Sequence, residues 1–170
     1  MELKCMTSSP ASLGVILKQR FLLMDYIASY KMKHHLPVED ISQEQLVMEQ
    51  IMNHAEKIGL VPSSLVPFVD AQIRVAKAIQ YRCKAKWLIF PDYSVECEEI
   101  FIVRNEVRRL DQELLKLLKN EIYYHGRLLK SSIADVVTEL AFVAVSQEEI
   151  ELLKRTLINI SNNKMIVPIE

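Results

Sequence analysis

The 170-residue sequence has little of what tight turns require, with only three Gly and six Pro residues. Asn-Gly and Asp-Gly pairs, which favour β-hairpins, do not occur, and no segment alternates apolar and polar residues over the length of a strand. Apolar residues instead recur at helical spacing. We therefore predict a single all-α domain, residues 1–170, of about six helices, with about nine N-terminal and ten C-terminal residues loosely held.

The boundaries of these helices follow from capping residues and helix breakers. Residues suited to helix starts are Pro10, Asp40 or Ser42, Ser63 or Ser64, and Ser146 with Glu149 in capping-box spacing. Residues that stop helices are Leu36-Pro37, Gly59, Phe90-Pro91-Asp92 and Gly126. The first predicted helix runs from near Ser9-Pro10 to about His35, the second from Asp40 or Ser42 to Gly59, and the third from Ser63 or Ser64 to Phe90. The other three cover about 96–124, 131–145 and 147–160. The first, third and fourth are long enough to form a bundle.

Common enzyme motifs are also missing: the sequence contains no GxSxG, Walker loop, GxGxxG or HExxH. His34 and His35 are adjacent, so their rings cannot face one site from a helix, and we interpret them as surface residues rather than metal ligands. The cysteines, Cys5, Cys83 and Cys97, form no CxxC pair. If the chain is exported, Cys83 and Cys97 could form a disulfide; the alternative is two small buried thiols.

Charge and hydropathy exclude further classes of protein. The formal net charge of -1 argues against a nucleic-acid binder, although a local basic cluster could still hold a small anion. No apolar run is long enough to cross a membrane. The first 20 residues lack the apolar segment of about 7–15 residues that a signal peptide needs. Either the protein is cytoplasmic, or its leader is absent from this sequence.

Several polar residues lie among apolar ones on predicted helix faces. Arg20 and Lys31 are eleven residues apart and share a face of the first helix. By itself, that spacing is more typical of two surface cations whose stems cover apolar residues. Gln72 and Gln80 share a face of the third helix with Ala76. A glutamine there is more often an exposed or satisfied amide than a donor in a pocket.

The fourth helix carries three arginines, Arg104, Arg108 and Arg109. They cannot all point inward, and they could form a solvated face. Arg104 falls among Ile100, Val103 and Val107, which makes it the candidate for an inward position.

Taken together, the stretch from Arg20 to Trp87 resembles the exported bacterial subgroup of all-helical chorismate mutases. The resemblance rests on Arg20, then IASYKMKHHLPVED at 27–40, then GLVPSSLVPFVDAQIRVAKAIQYRCKAKW at 59–87. The matching residues, in order and spacing, are Ala28, Tyr30, Lys31, Pro37, Val38, Glu39, Asp40, Gly59, Leu60, Pro62, Gln72, Ile73, Lys77, Ile79, Gln80 and Trp87. They cover about 70 of the 170 residues; the remainder agrees as a helical pattern only.

The resemblance implies a reaction, the intramolecular [3,3] Claisen rearrangement of chorismate to prephenate in the shikimate pathway of aromatic amino acid biosynthesis. It needs no cofactor, metal, covalent step or proton transfer. Such enzymes hold a compact substrate conformer and place donors at the ether oxygen, where negative charge grows. The resemblance also implies a homodimer with one complete site in each chain, a periplasmic or secreted location, and neither nucleic acid nor membrane as a partner.

The resemblance assigns roles to particular residues. Arg20 would bind a substrate carboxylate. Lys31 would contact a carboxylate and the ether oxygen, to which Gln80 would also donate. Glu44 and the backbone near Asp40 would receive the ring hydroxyl. Arg104 would be the fourth-helix arginine that completes the site within one chain.

Two residues of the expected pocket depart from the family pattern. The family usually has Arg where this chain has Gln43, and a small hydroxyl or amide residue where it has Ala76. A lost charge-assisted bond commonly weakens binding by about 1 kcal/mol or more, and about 1.4 kcal/mol corresponds to tenfold in rate. We therefore expect an active enzyme with a weakened site. The alternative is a non-catalytic helical interaction protein that kept the fold.

Overall fold

The computed structural model describes residues 11–97 and 99–162. Over that part of the chain the helix content is 77%, and the only β geometry is an isolated bridge between Leu60 and Asn162. The α-helices are α1 (Leu13–Leu22), α2 (Met24–Lys33), α3 (Ile41–Ile58), α4 (Pro62–Ile89), α5 (Ile100–His125), α6 (Lys130–Leu140) and α7 (Gln147–Leu157). A single 3-10 turn, Pro91–Tyr93, follows α4. The predicted all-α class is confirmed.

The first predicted helix is divided into α1 and α2 at one residue, Leu23. Leu23 keeps helical dihedral angles (φ -69°, ψ -15°), and its N–H still donates to Gln19 O at 3.3 Å. The N-cap of α1 is Ser12, whose side chain accepts from Val15 N, so the predicted start near Ser9-Pro10 is too early. Ser9 and Pro10 themselves lie outside the described residues.

Local capping signals set several boundaries as predicted. Asp40, rather than Ser42, caps α3, and its carboxylate accepts from Gln43 N at 3.1 Å. Gly59 and Gly126 end α3 and α5 with φ of +85° and +70°, where a side chain would be strained. Ser146 and Glu149 form the predicted capping box of α7.

Four further predicted boundaries are wrong, one of them the end of α7, which is Leu157 rather than Ile160. Helix α4 begins at Pro62, ahead of Ser63, because Pro is favoured at the first helical position. Helix α5 begins at Ile100 rather than Glu96, because the preceding loop is tied to α2 by the bond from Ser29 Oγ to Val95 O. Helix α6 ends at Leu140 rather than Val145. Just after Leu140, Phe142 N and Val143 N donate to the carbonyls three residues back, Glu139 O and Leu140 O, instead of four residues back as in an α-helix.

Helix α4 is central in the fold, since it packs against α2, α3 and α7. Helix α1 packs against α5 and α6, and α3 also contacts α5. Buried leucine, isoleucine, valine and phenylalanine side chains from all seven helices form one continuous core. No helix within the described ranges is long and apolar enough to cross a membrane.

The chain after α7 returns to the start of α4. Val61 N donates to Ser161 O at 3.0 Å, and Ser161 N donates to Ser64 Oγ at 3.1 Å. Of the ten C-terminal residues predicted to be loose, Ser161 and Asn162 are therefore held by the α3–α4 junction. The other eight, and the nine at the N-terminus, lie outside the described residues.

Candidate active site

A cavity of about 410 Å³ is enclosed by α1, α2, α3, α4 and α5. Its size lies within the range of small-molecule pockets. All eight predicted site residues line it: Arg20, Lys31, Asp40, Gln43, Glu44, Ala76, Gln80 and Arg104. The structure therefore brings together side chains that are up to 84 residues apart in the sequence.

Arg20, in the last turn of α1, is buried rather than on the surface, so the interpretation from spacing alone is wrong. Its Nε donates to Asp111 Oδ1 of α5 at 2.7 Å, while its Nη1 is buried with no partner among the described residues. Burial raises the pKa of Asp111, and the Arg20 guanidinium opposes that rise. Pairing with Asp111 is what makes a buried guanidinium tolerable here.

Lys31 of α2 is also buried, with 5% of its surface exposed. Its Nζ donates to Val38 O, in the loop before α3, at 2.5 Å. Burial lowers the pKa of Lys31, because a charged ammonium loses its hydration; Asp40 opposes this effect, and Arg104 adds to it. A buried ammonium with unused N–H groups is suited to binding an anion.

Gln80 of α4 lines the same cavity as Lys31 and is 5% exposed. Its Nε2 donates to Ala76 O at 3.2 Å and lies 3.8 Å from Met24 Sδ. The two N–H groups of Nε2 thus have acceptors, one of them the weakly accepting Met24 thioether, while Oε1 is buried without a described partner. Gln80 therefore presents a neutral donor whose orientation is held by its own helix.

The cavity rim is built from two ion pairs. Arg104 Nη2 of α5 contacts Asp40 Oδ2 at 2.8 Å, and Lys77 Nζ of α4 contacts Glu44 Oε2 at 3.0 Å. Glu44 Oε1 also accepts from Asp40 N at 3.4 Å. These contacts join the start of α3 to α4 and α5, and they neutralise both carboxylates at that end of the cavity.

The charges that line the cavity do not balance. Its cations are Arg20, Lys31, Lys57, Lys77, Arg104 and Arg108, and its carboxylates are Asp40, Glu44 and Asp111. Each carboxylate already has an arginine or lysine within 4 Å. Among the described residues, none of the other three cations, Lys31, Lys57 and Arg108, has a carboxylate partner. The cavity therefore favours an anionic ligand, although the whole chain is near neutral.

The sequence analysis missed four charged residues of this cavity: Lys57, Lys77, Arg108 and Asp111. A signal existed for two of them, since Arg104, Arg108 and Asp111 stand at i, i+4 and i+7 on α5 and share a face. Arg109 points away and pairs with Glu106 and Glu113 on the surface. Gln72 is buried but does not line the cavity.

The two departures from the family pattern both face the cavity, since Gln43 and Ala76 line it. Gln43 is neutral where the pattern has a cation, and Ala76 contributes only a backbone carbonyl, which holds the Gln80 amide. The expected pocket therefore lacks a positive charge at Gln43, whose amide can still donate, and a side-chain donor at Ala76.

Of the described cysteines and histidines, His54 alone lines this cavity, and its Nε2 is buried without a described partner. Cys83 and Cys97 are free thiols, so the structure follows the alternative to a disulfide. Burial and Asp25 raise the pKa of Cys83 to about 12.

His34 and His35 are exposed at the end of α2, and no group of three potential metal ligands occurs in 11–97 or 99–162.

Known proteins are similar to this chain in sequence and in fold. The sequence model of the family described as chorismate mutase type II matches residues 12–81. A monofunctional chorismate mutase from Enterobacter agglomerans is 38% identical over 114 residues, 67% of this chain and 63% of that protein. A secreted chorismate mutase from Yersinia pestis is 36% identical over 107 residues, 63% of this chain and 58% of that protein. The chain thus spans about three fifths of the length of these curated relatives.

The fold is similar over a larger part of the chain. The crystal structure of the secreted chorismate mutase from Yersinia pestis superposes with a TM-score of 0.80 at 27% sequence identity. The superposition covers 88% of this chain and 97% of that chain.

Proposed function

This chain is related to the all-helical chorismate mutases, secreted members among them, and from that premise we propose that it isomerises chorismate to prephenate. The observation that carries the proposal is the cavity between α1–α2, α3, α4 and α5, in which three cations lack a carboxylate partner among the described residues. The substrate is a small dianion, and its two carboxylates would supply the missing negative charge.

The transition state needs donors at the ether oxygen, where negative charge grows as the C–O bond breaks and the new C–C bond forms. Lys31 and Gln80 have that role in the proposal. Both are buried, so their N–H groups act with little competition from water. Hydrogen bonds to a developing charge are strongest in such a water-poor environment. Neither has to transfer a proton, which agrees with a rearrangement that needs no acid or base.

The remaining predicted residues would hold the substrate in its compact conformer. Arg20 would bind a carboxylate through Nη1, which is buried and has no described partner. Glu44 and the backbone N–H of Asp40 would receive the ring hydroxyl, at the end of the cavity where the two already contact each other. Arg104, paired with Asp40, would close that end. Positioning of this kind removes much of the entropic part of a barrier.

The direct test is an absorbance assay of chorismate loss with purified protein. We expect turnover without added metal or cofactor, at a rate reduced by the missing charge at Gln43 and the missing donor at Ala76. A folded protein that shows no turnover at high enzyme concentration would contradict the proposal. Binding of a dicarboxylate transition-state mimic without turnover would then favour the alternative, a non-catalytic protein with this fold.

We further propose that the chain is one domain that forms a homodimer, with a complete site in each copy. Four large apolar side chains are exposed at the end of α4 and the start of α5: Leu88, Ile89, Phe101 and Ile102. Exposed apolar groups of this size favour association. Light scattering should give twice the mass of 19.7 kDa, and Phe101→Glu should shift it to the monomer. A monomeric wild type at assay concentration would contradict the homodimer alone.

We also propose that the protein is exported, because two of its relatives are secreted chorismate mutases. Fractionation of cells that express the natural gene tests it. The protein should appear in the periplasm or medium, and retention in the cytoplasm would contradict export without affecting the proposed reaction.

A further inference from the structure

Arg108 of α5 is a cavity cation to which neither the sequence nor the resemblance assigned a role. Its Nε donates to Gln50 Oε1 of α3 at 3.0 Å, and its Nη1 donates to Asn105 Oδ1 at 2.8 Å. Both acceptors are neutral amide oxygens, so they orient the guanidinium without cancelling its charge. Its Nη2 makes no hydrogen bond to the described residues. Arg108 is therefore a fixed cation with N–H groups still available.

Arg108 also stands at the level of Arg20. Asp111, which pairs with Arg20, is three residues further along α5, and positions three apart on a helix are neighbours. Arg20 and Arg108 both line the cavity, and each retains a guanidinium nitrogen without a described partner, Nη1 and Nη2 respectively. One carboxylate, that of Asp111, serves this end of the cavity, so one of the two guanidinium charges there is not matched.

The opposite wall explains why a cation is needed from α5. Gln43 and Gln50 are seven residues apart on α3, two turns along one face, and both line the cavity. Neither carries charge, and Gln50 is the residue that accepts from Arg108. On that face α3 thus contributes the amides of Gln43 and Gln50 and, two turns further on, Lys57, while Arg108 is the cation in contact with Gln50.

We propose that Arg108, acting with Arg20, binds one carboxylate of the substrate and supplies the charge that Gln43 does not. This inference rests on the proposed function, since it names a ligand for the same substrate. Arg108 would contact substrate through Nη2, while Gln50 and Asn105 hold the side chain in place. The other role open to it is structural, a link between α3 and α5 through Gln50.

Three variants separate these roles. Arg108→Gln removes the charge, Arg108→Lys keeps it, and Arg109→Gln is the matched control, an arginine of the same helix that pairs on the surface. We expect Arg108→Gln to lower kcat/KM about tenfold or more, mainly through KM, as for a lost hydrogen bond to a charged group. Arg108→Lys should lower kcat/KM less than Arg108→Gln does, because it keeps the charge. Arg109→Gln should have the kcat/KM of the wild type.

The decisive measurement is binding of an oxabicyclic dicarboxylate that mimics the transition state, compared with its two monoesters. If Arg108 binds a carboxylate, Arg108→Gln weakens the diacid about tenfold or more. It then leaves the affinity for one monoester, the one that lacks that carboxylate, equal to the wild type's. A structural role predicts equal weakening of all three ligands, which would overturn the inference. Adding Gln43→Arg to Arg108→Gln should restore part of the diacid affinity.

The outcomes distinguish this inference from the proposed function. A wild type that neither turns over chorismate nor binds the diacid would contradict the proposed function itself. A wild type that does both, with Arg108→Gln indistinguishable from Arg109→Gln, would overturn only the role of Arg108. Should Arg108→Gln fail to fold, Arg108→Lys carries the same comparison of the diacid with its monoesters.

Discussion

Lys31 combines the properties that the proposed reaction asks of a single cation. It is buried, it is held by Val38 O, and none of the described carboxylates lies within salt-bridge distance of it. A buried ammonium costs folding free energy unless it is compensated. Because Lys31 is buried without a direct ion pair to a described carboxylate, its position is better explained by ligand binding than by stability.

Lys31→Ala should therefore reduce turnover about a hundredfold or more, as expected for a donor at a developing anion. The matched control is Lys84→Ala, because Lys84 donates to Leu36 O of the same loop but does not line the cavity. Each variant loses one lysine–carbonyl bond, worth about 1 kcal/mol, and Lys31→Ala also removes the desolvation cost of a buried ammonium, so neither should lower the free energy of unfolding by more than about 1 kcal/mol. Steady-state kinetics and urea unfolding measure the two effects. Equal losses of activity and stability in Lys31→Ala would indicate a structural lysine.

The pH dependence of the reaction should report the same residue. Burial lowers the pKa of Lys31 from the ordinary value of 10.5. Lys31 carries its charge below that pKa and loses it above, so kcat/KM should fall on the alkaline side, at lower pH than for an ordinary lysine. Lys31→Arg is the control, because arginine stays protonated throughout. It should have a lower rate but no such decline, and a decline identical to the wild type's would assign the titration to another group.

At the scale of elements, the site depends on how α1 is placed, because α1 carries Arg20 near its end. Gly14 lies where α1 meets α6, and its N–H donates to Asp135 Oδ2 at 2.8 Å. A Cβ at Gly14 would stand 2.6 Å from Asp135 O, a backbone atom that cannot simply rotate away. Glycine is thus what allows the two helices to approach this closely.

Gly14→Ala should push α1 from α6 and lower the free energy of unfolding by about 1–3 kcal/mol, the usual cost of overpacking. Because Arg20 moves with α1, kcat/KM should fall as well. Gly59→Ala is the comparison: its φ of +85° is strained for alanine, at about 1 kcal/mol, but a Cβ there meets nothing within 4 Å. Thermal unfolding and kinetics below both transitions check this. A Gly14→Ala protein with wild-type kinetics would show that α1 does not control the site.

At the scale of the whole molecule, a near-neutral chain encloses a cationic cavity. The formal net charge is -1, while the cavity wall has six cations against three carboxylates. The attraction of a dianion is therefore local to the cavity, and it acts through solvent only near the opening, where Lys57 is exposed. Salt should screen that part and leave the buried contacts of Lys31 and Arg20 less affected.

We accordingly expect KM for chorismate to rise several-fold between about 0.01 and 0.15 M salt, as the screening length falls from about 30 to 8 Å. The value of kcat at saturating substrate should change little, since Lys31 and Gln80 act where water is excluded. Initial rates over a range of chorismate concentrations give both constants, with sucrose as an uncharged control. A KM that is independent of salt would contradict electrostatic attraction of the substrate.

The sequence by itself determined the features whose interactions close within a few residues. The Asp40 cap reaches Gln43, the Ser146–Glu149 box spans three residues, and Gly59 ends α3 through its own backbone. Helical periodicity predicted the all-α class for the same reason. Boundaries without such a local signal, the start of α5 and the end of α6, were placed wrongly.

Only the tertiary structure decided which polar residues share the cavity and how they are paired. Arg20 meets Asp111 across 91 residues, and Lys77 meets Glu44 across 33. Spacing along one helix could not separate a surface Arg20 from a buried one, because burial depends on what packs against that helix. Arg108 likewise became a cavity cation only through the position of α5 beside α3. Contacts between helices follow from the packing of all their apolar faces at once, which no single segment encodes.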